Sequence, residues 1–179
     1  SRRRHTRSSV ESRGLGDVYK RQPLGIRNAA VHYHFATKTD LGVALIDRYR
    51  LVLRGTTQEF MEVGGNPVSQ LDTYIQWIRN SYVKHGAICP MGILAVNFNT
   101  LPEAMQTRAQ LLVNEMLQWL SRVLEVGRDG GLFFFNGPAL DKACAVKGLL
   151  QGAAQLARIN GVGVLDSAVR QLRRDLGRA

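Results

Sequence analysis

The chain has 179 residues, 45% of them hydrophobic, and a formal net charge of +10. That length suits one domain, or a small module fused to a larger one, with enough apolar material for a substantial core. No apolar run is long enough to cross a bilayer and no signal peptide is recognisable, while two cysteines, Cys89 and Cys144, form neither a disulfide framework nor a zinc pattern; membrane-spanning and disulfide-rich classes are excluded, and a reducing cytoplasm is the expected compartment.

Residues 1–22 are polar, rich in Arg and Ser, and show no apolar period. Residues 1–27 hold eight basic and two acidic side chains, so only +4 remains on the other 152 residues. The basic character is therefore mostly an N-terminal property. It fits a disordered tail or a basic arm on DNA phosphates.

Gly25-Ile26-Arg27-Asn28-Ala29-Ala30-Val31-His32-Tyr33-His34-Phe35 reads as a short helix after a tight turn. Val31 and Phe35 share one face, and Arg27, Asn28, His32 and Tyr33 project elsewhere. A guanidinium can pair with guanine and a carboxamide with adenine in the major groove. The Tyr33 hydroxyl and Lys38 suit phosphate contacts. A solvated helix face is the bland alternative. His32 and His34 stand two apart and diverge on a helix, so they make no metal pair.

The rest reads as all-helical. Thr37-x-x-Asp40 is a capping-box-like start for a helix to about Glu62, whose apolar residues are Leu41, Ala44, Leu45, Tyr49, Val52 and Leu53. Asn66 caps a second helix with Pro67 in its first turn, and Leu71, Tyr74, Ile75, Ile78, Tyr82 and Val83 mark its apolar face. A short helix follows from about Cys89 to Phe98. Thr100-Leu101-Pro102-Glu103 predicts another capped start, for a long helix with Met105, Ala109, Leu112, Val113, Met116, Leu120, Val123 and Leu124 at spacings of three and four. Asp129-Gly130-Gly131 stops it. Leu132–Phe135 reads as an apolar loop, because no partner strand is visible. Asn136-Gly137-Pro138 opens a helix to about Asn160, and after Gly161 a last helix carries Leu165, Val169, Leu172 and Leu176.

The run from Gly25 to Leu41 resembles the end of the helix-turn-helix of the TetR/AcrR family. That family shows a Gly-Val turn, a short recognition helix ending in an aromatic-x-His-Phe-like run, then Ser/Thr-Lys and an acidic residue before an apolar helix. Cys89-Pro90-Met91-Gly92-Ile93-Leu94-Ala95 and the Leu101-Pro102-Glu103 start are similar to the sixth and seventh helices of one subgroup. The resemblance implies an all-α protein in three parts: a tail at 1–22, the second half of a helix-turn-helix at 23–45, and a helical ligand-binding and dimerisation domain at 46–179. It places Asn28, Ala29, Ala30 and His32 at bases, Arg27, Tyr33, His34 and Lys38 near bases or backbone, and Ile26, Val31 and Phe35 in the core. Residues 1–24 lack the two helices that the family sets before this turn. The expectation is that residues 1 to about 22 are foreign sequence, from a cloning adapter, a frameshift or a misassembled read, in place of the authentic start.

Family members sense small molecules among their central helices. Phe60, Tyr74, Trp77, Met91, Phe98, Met116 and Trp119 are the pocket candidates here, with ordinary core packing as the alternative. Cys89 stands at a helix start, where the dipole favours a thiolate. Some members with a cysteine in a similar place respond to electrophiles or oxidants; a structural cysteine is the alternative. Gly148 and Gly152 stand four apart with Ala153 and Ala157 nearby. With Leu149, Leu150, Leu156, Leu165, Val169 and Leu172 they suit a homodimer interface, or else packing within one chain. No catalytic constellation, phosphate-cradling loop or cofactor motif is present. The expected function is a ligand-responsive repressor that binds double-stranded operator DNA and is released by a small lipophilic or electrophilic effector. The alternative is a helical small-molecule-binding or interaction protein that has lost DNA binding with its first helices.

Overall fold

The computed structural model describes residues 33–85 and 89–177. Six α-helices follow in order among them: α1 (Lys38–Gly64), α2 (Pro67–His85), α3 (Pro90–Asn97), α4 (Glu103–Asp129), α5 (Ala139–Asn160) and α6 (Gly163–Asp175). A 3-10 turn, Phe98–Thr100, links α3 to α4. The chain divides into two compact units, Ser1–Leu41 and Gly42–Ala179. No described helix is long and apolar enough to cross a membrane.

Local chemistry explains the helix starts. In the first unit, the Thr37 amide donates to Asp40 Oδ2 (2.9 Å) and the Asp40 amide donates to Thr37 Oγ1 (3.0 Å), a reciprocal capping box. At α2 the Ser69 amide donates to Asn66 Oδ1 at 3.0 Å, with Pro67 as first residue. The predicted box at Thr100 does not form. Thr100 ends the 3-10 turn, and its hydroxyl donates to Asn97 O (2.8 Å) within that turn. Pro102 takes the cap position of α4. Gln106 Nε2 instead serves two carbonyls of this corner, Phe98 O (3.1 Å) and Leu101 O (2.9 Å).

In the second unit α4 is the central helix. It packs against α5, α5 packs against α6, α2 closes over α4 and α5, and α3 lies on α4. Leu112, Met116, Leu120 and Leu124 of α4 are buried, together with Val146 and Leu150 of α5 and Leu165 and Leu172 of α6. Burial of this kind contributes roughly 1.5–3 kcal/mol per side chain before the chain-entropy cost. The buried stripe of α1 is Ile46, Leu53 and Phe60, seven residues apart. Leu45, Tyr49 and Val52 of the expected face are largely exposed. A seven-residue stripe suits a helix that touches its neighbours along one narrow seam.

Ion pairs cross between helices distant in sequence. Glu115 of α4 accepts from Arg50 Nη2 and Arg54 Nη2 of α1, each at 2.6 Å. Asp166 of α6 accepts from Arg79 Nε of α2 at 2.9 Å. The Tyr82 hydroxyl adds a tie, donating to Ala157 O of α5 at 2.7 Å. After α4, Leu132–Phe135 forms an irregular segment. Phe133 is buried, and the Phe134 amide donates to Leu176 O at 3.2 Å.

Candidate functional site

The second unit holds a cavity of about 270 Å³. Five helices contribute to its lining. Tyr49, Val52 and Leu53 come from α1, and Tyr74, Trp77, Ile78, Ser81 and Tyr82 from α2. Pro90 and Met91 open α3, Leu112 and Met116 belong to α4, and Lys147, Leu150, Gln151 and Ala154 to α5. Cys89, immediately before α3, completes the wall. The walls are mostly apolar with a few polar groups, the usual make-up of a small-molecule site.

The seven pocket candidates divide among three places. Tyr74, Trp77, Met91 and Met116 line the cavity. Phe60 and Trp119 stand behind its wall in an aromatic cluster. The Phe60 ring lies 5.8 Å from Trp119 and 6.5 Å from both Tyr74 and Trp77, and Tyr74 meets Trp119 edge-on at 5.4 Å. Phe98 belongs to the 3-10 turn and is not in the lining. The seven were chosen by residue type, as aromatic and methionine side chains, and type carries no information about which side of a wall each occupies.

Two polar groups of the cavity meet at the start of α3. Lys147 Nζ lies 3.5 Å from Cys89 Sγ and donates to it. Lys147 escaped the sequence reading; its signal was a lone cation in the otherwise small and apolar run from Ala143 to Leu150. The Tyr74 hydroxyl is buried and has no hydrogen-bond partner among the described residues. Burial first, and the neighbouring Cys89 sulfur second, push the Tyr74 phenol far above its ordinary value of 10, so it stays a neutral O–H. Cys89 takes the N-cap position of α3 without a side-chain cap bond, which leaves its sulfur free to face Lys147. The second cysteine, Cys144, is exposed and outside the lining.

The proposed DNA-facing residues fall mostly outside the described residues: Arg27, Asn28, Ala29, Ala30 and His32 do, as does the 1–22 tail. Tyr33 and His34 are helical and exposed, Tyr33 at 85%, with their rings edge-on at 5.2 Å. Lys38 is exposed in the first turn of α1. Phe35 is half-buried, unlike its two exposed predecessors.

The proposed interface residues also divide. Leu165, Val169 and Leu172 are buried inside this chain, because α6 turns them onto α5 and the core. Gly148 and Gly152 face open space at the position of a Cβ. Leu149 and Leu156 are exposed, Leu156 at 55%, and Ile159 is exposed at 82%. Of the proposed interface residues, the outward-facing ones thus lie on α5.

No family model matches the chain. It is 26% identical over 150 residues to the HTH-type transcriptional repressor NemR of Escherichia coli K12, an alignment covering 82% of this chain and 74% of that protein. Its fold is similar to a TetR-family transcriptional regulator from Agrobacterium tumefaciens, with a TM-score of 0.82, 28% identity, and coverage of 90% of this chain and 85% of the other. The crystal structure of reduced E. coli NemR superposes with a TM-score of 0.76 at 22% identity, covering 92% of this chain and 87% of that one.

Proposed function

The chain belongs to the TetR family of transcriptional regulators, and we propose that it acts as a homodimeric repressor released from operator DNA by a small lipophilic or electrophilic effector. One observation carries the reading: the largely apolar cavity inside the α1–α5 bundle of a chain that shares this family's fold. The repressor assignment is supported by the kinship with a protein named as a repressor. Such a protein works in the cytoplasm, beside its DNA.

The DNA face would be Arg27, Asn28, Ala29, Ala30 and His32 at the bases, with Tyr33, His34 and Lys38 close to them or on phosphates. The exposure of Tyr33, His34 and Lys38 suits that role. A second copy would pair across α5, where Gly148 and Gly152 permit close backbone approach and Leu149 and Leu156 supply apolar area. Two-fold pairing sets two recognition helices on successive half-sites. An effector acts by binding better to the conformation whose spacing does not match. Cys89 lines the effector cavity beside Lys147, so an electrophile held there meets a sulfur nucleophile.

A second reading is favoured by one feature: residues 1–24 carry no apolar helical period. On that reading the protein binds small molecules without recognising an operator. A mobility-shift titration against the DNA upstream of its own gene, at several salt concentrations, separates the two. Sequence-preferring retardation that an added lipophile reverses supports the repressor. Steep salt dependence with no sequence preference supports the second reading, with the basic N-terminal residues alone holding phosphates. Cys89→Ser should abolish release by electrophiles and leave release by unreactive lipophiles intact. An unchanged electrophile response removes Cys89 from the mechanism.

A further inference from the structure

The effector cavity is polarised. Tyr74 belongs to the lining but is only 1% exposed, and its buried hydroxyl has no hydrogen-bond partner among the described residues. Lys147 brings a full positive charge to the same lining and makes no ion pair among the described residues. No Asp or Glu contributes to the walls. The start of α3, with Pro90 in the lining, adds the positive end of a helix dipole. Gln151 strengthens the same end: a Cβ built on Gly92 would lie 3.2 Å from Gln151 Nε2, so this amide stands against the first turn of α3. Lys147 and the start of α3 give one side of the chamber a positive character, and the Cys89 sulfur, a weak acceptor, is the partner Lys147 has there among the described residues.

Burying an O–H donor without a partner is costly, and the half-buried Lys147 has a sulfur and no carboxylate opposite it, so a ligand that brings an oxyanion would complete this site. We propose that the cavity binds an organic monoanion, with a carboxylate-class head at Lys147 and the Tyr74 hydroxyl. Its hydrocarbon or aromatic body lies along Leu53, Ile78, Leu112, Met116 and Leu150. The neutral phenol donates one hydrogen bond and the ammonium supplies the counter-charge. A neutral lipophile of the same shape fills the chamber but leaves both groups unanswered. The inference rests on the reading of this cavity as the effector site, and it differs from covalent capture at Cys89 because no bond to sulfur is made.

The test is calorimetric titration of the full chain, without DNA, with straight-chain acids of graded length and 2-naphthoate, each set against its matched primary alcohol. Acids are expected to bind roughly tenfold to a hundredfold more tightly than the alcohols, the range for hydrogen bonds to a charged group. Lys147→Met, which keeps most of the side-chain volume, should abolish that preference by bringing acid binding down to the level of the alcohols. Tyr74→Phe should reduce it in part. Equal binding of acids and alcohols, or no binding by any acid, overturns the proposal. A chain that binds acids yet never releases DNA in the mobility-shift titration retains this inference and loses the repressor reading, so the two failures are distinguishable.

Discussion

Arg50 and Glu115 form a two-pronged ion pair across α1 and α4. Arg50 Nη2 donates to Glu115 Oε1 at 2.6 Å and Arg50 Nε to Oε2 at 3.4 Å. Glu115 directly precedes Met116, which lines the cavity, so this clamp fixes α1 against the part of α4 that forms the cavity wall.

The clamp predicts an acid-sensitive contribution to stability. The hydrogen bond from Arg50 holds the Glu115 carboxyl below its ordinary value of 4.5, outweighing partial burial, and Arg54 adds to the effect. Because the folded pKa is the lower one, the contribution is complete above the ordinary glutamate range and is lost as pH falls through the folded value. Glu115→Gln should therefore cost about 1–3 kcal/mol near pH 7, where a charge-assisted bond is lost. The difference should shrink towards zero as both proteins are titrated into strong acid. Urea unfolding of the two proteins across that range checks it; a difference that stays constant with pH would remove the charge from the explanation.

Two glycines give opposite expectations for one substitution. A Cβ on Gly127 would overlap the ring of Phe133, which is buried and held in place by hydrogen bonds that the Leu132 and Phe133 amides donate to Gly127 O. A Cβ on Gly42 would meet only the Cε and Sδ ends of Met105 at 2.5 Å, and a thioether chain can swing away. Gly127→Ala should lower stability by about 1–3 kcal/mol through overpacking. Gly42→Ala should be neutral or gain a few tenths of the ~1 kcal/mol that alanine holds over glycine in a helix. Denaturant midpoints of the two variants decide, and equal effects would contradict the packing argument.

Short-range chemistry was the legible part of this chain. Thr37 with Asp40, and Asn66 with Pro67, mark helix starts because each interaction closes within three residues. Thr100 misled for the same reason: its spacing to Glu103 is correct, but Pro102 and the turn at Phe98 decide where α4 begins. Positions in the wall of the cavity were harder to read. Phe60 and Tyr74 are both inward apolar residues of amphipathic helices, yet only Tyr74 reaches the chamber. Cys89 and Lys147 lie 58 residues apart, and only the tertiary fold brings sulfur and ammonium to 3.5 Å. Leu172 looks like an interface residue by type and is a core residue by packing.

The Thr37–Asp40 box gives a local prediction. Thr37→Ala removes the hydroxyl that receives the Asp40 amide and itself donates to Asp40 Oδ2 at 2.7 Å. Loss of such a cap costs about 1 kcal/mol. The expected signature is faster hydrogen exchange at the first-turn amides of α1, with no change in α4 or α5. Slower or unchanged exchange at the Asp40 amide would show that the box does not hold this helix start.

Phe60 separates the wall of the cavity from its contents. Its ring touches neither the chamber nor solvent, but it backs Tyr74 and Trp77, both of which line the chamber. Phe60→Ala removes a buried ring and should lower stability by about 3–5 kcal/mol. The same change leaves space behind Tyr74 and Trp77 into which their rings can relax, so the chamber deepens towards Trp119, 5.8 Å from Phe60. Phe60→Leu keeps part of the volume, should cost less, and supplies a folded variant if the alanine protein is too unstable to handle. In that variant the preferred chain length of a bound lipophile should increase by one or two methylene groups, each contributing about 0.8 kcal/mol when buried. Calorimetric titration with lipophiles of graded length reads the shift directly. An unchanged length preference in a folded Phe60→Leu protein would mean that Tyr74 and Trp77 form a rigid wall whatever stands behind them.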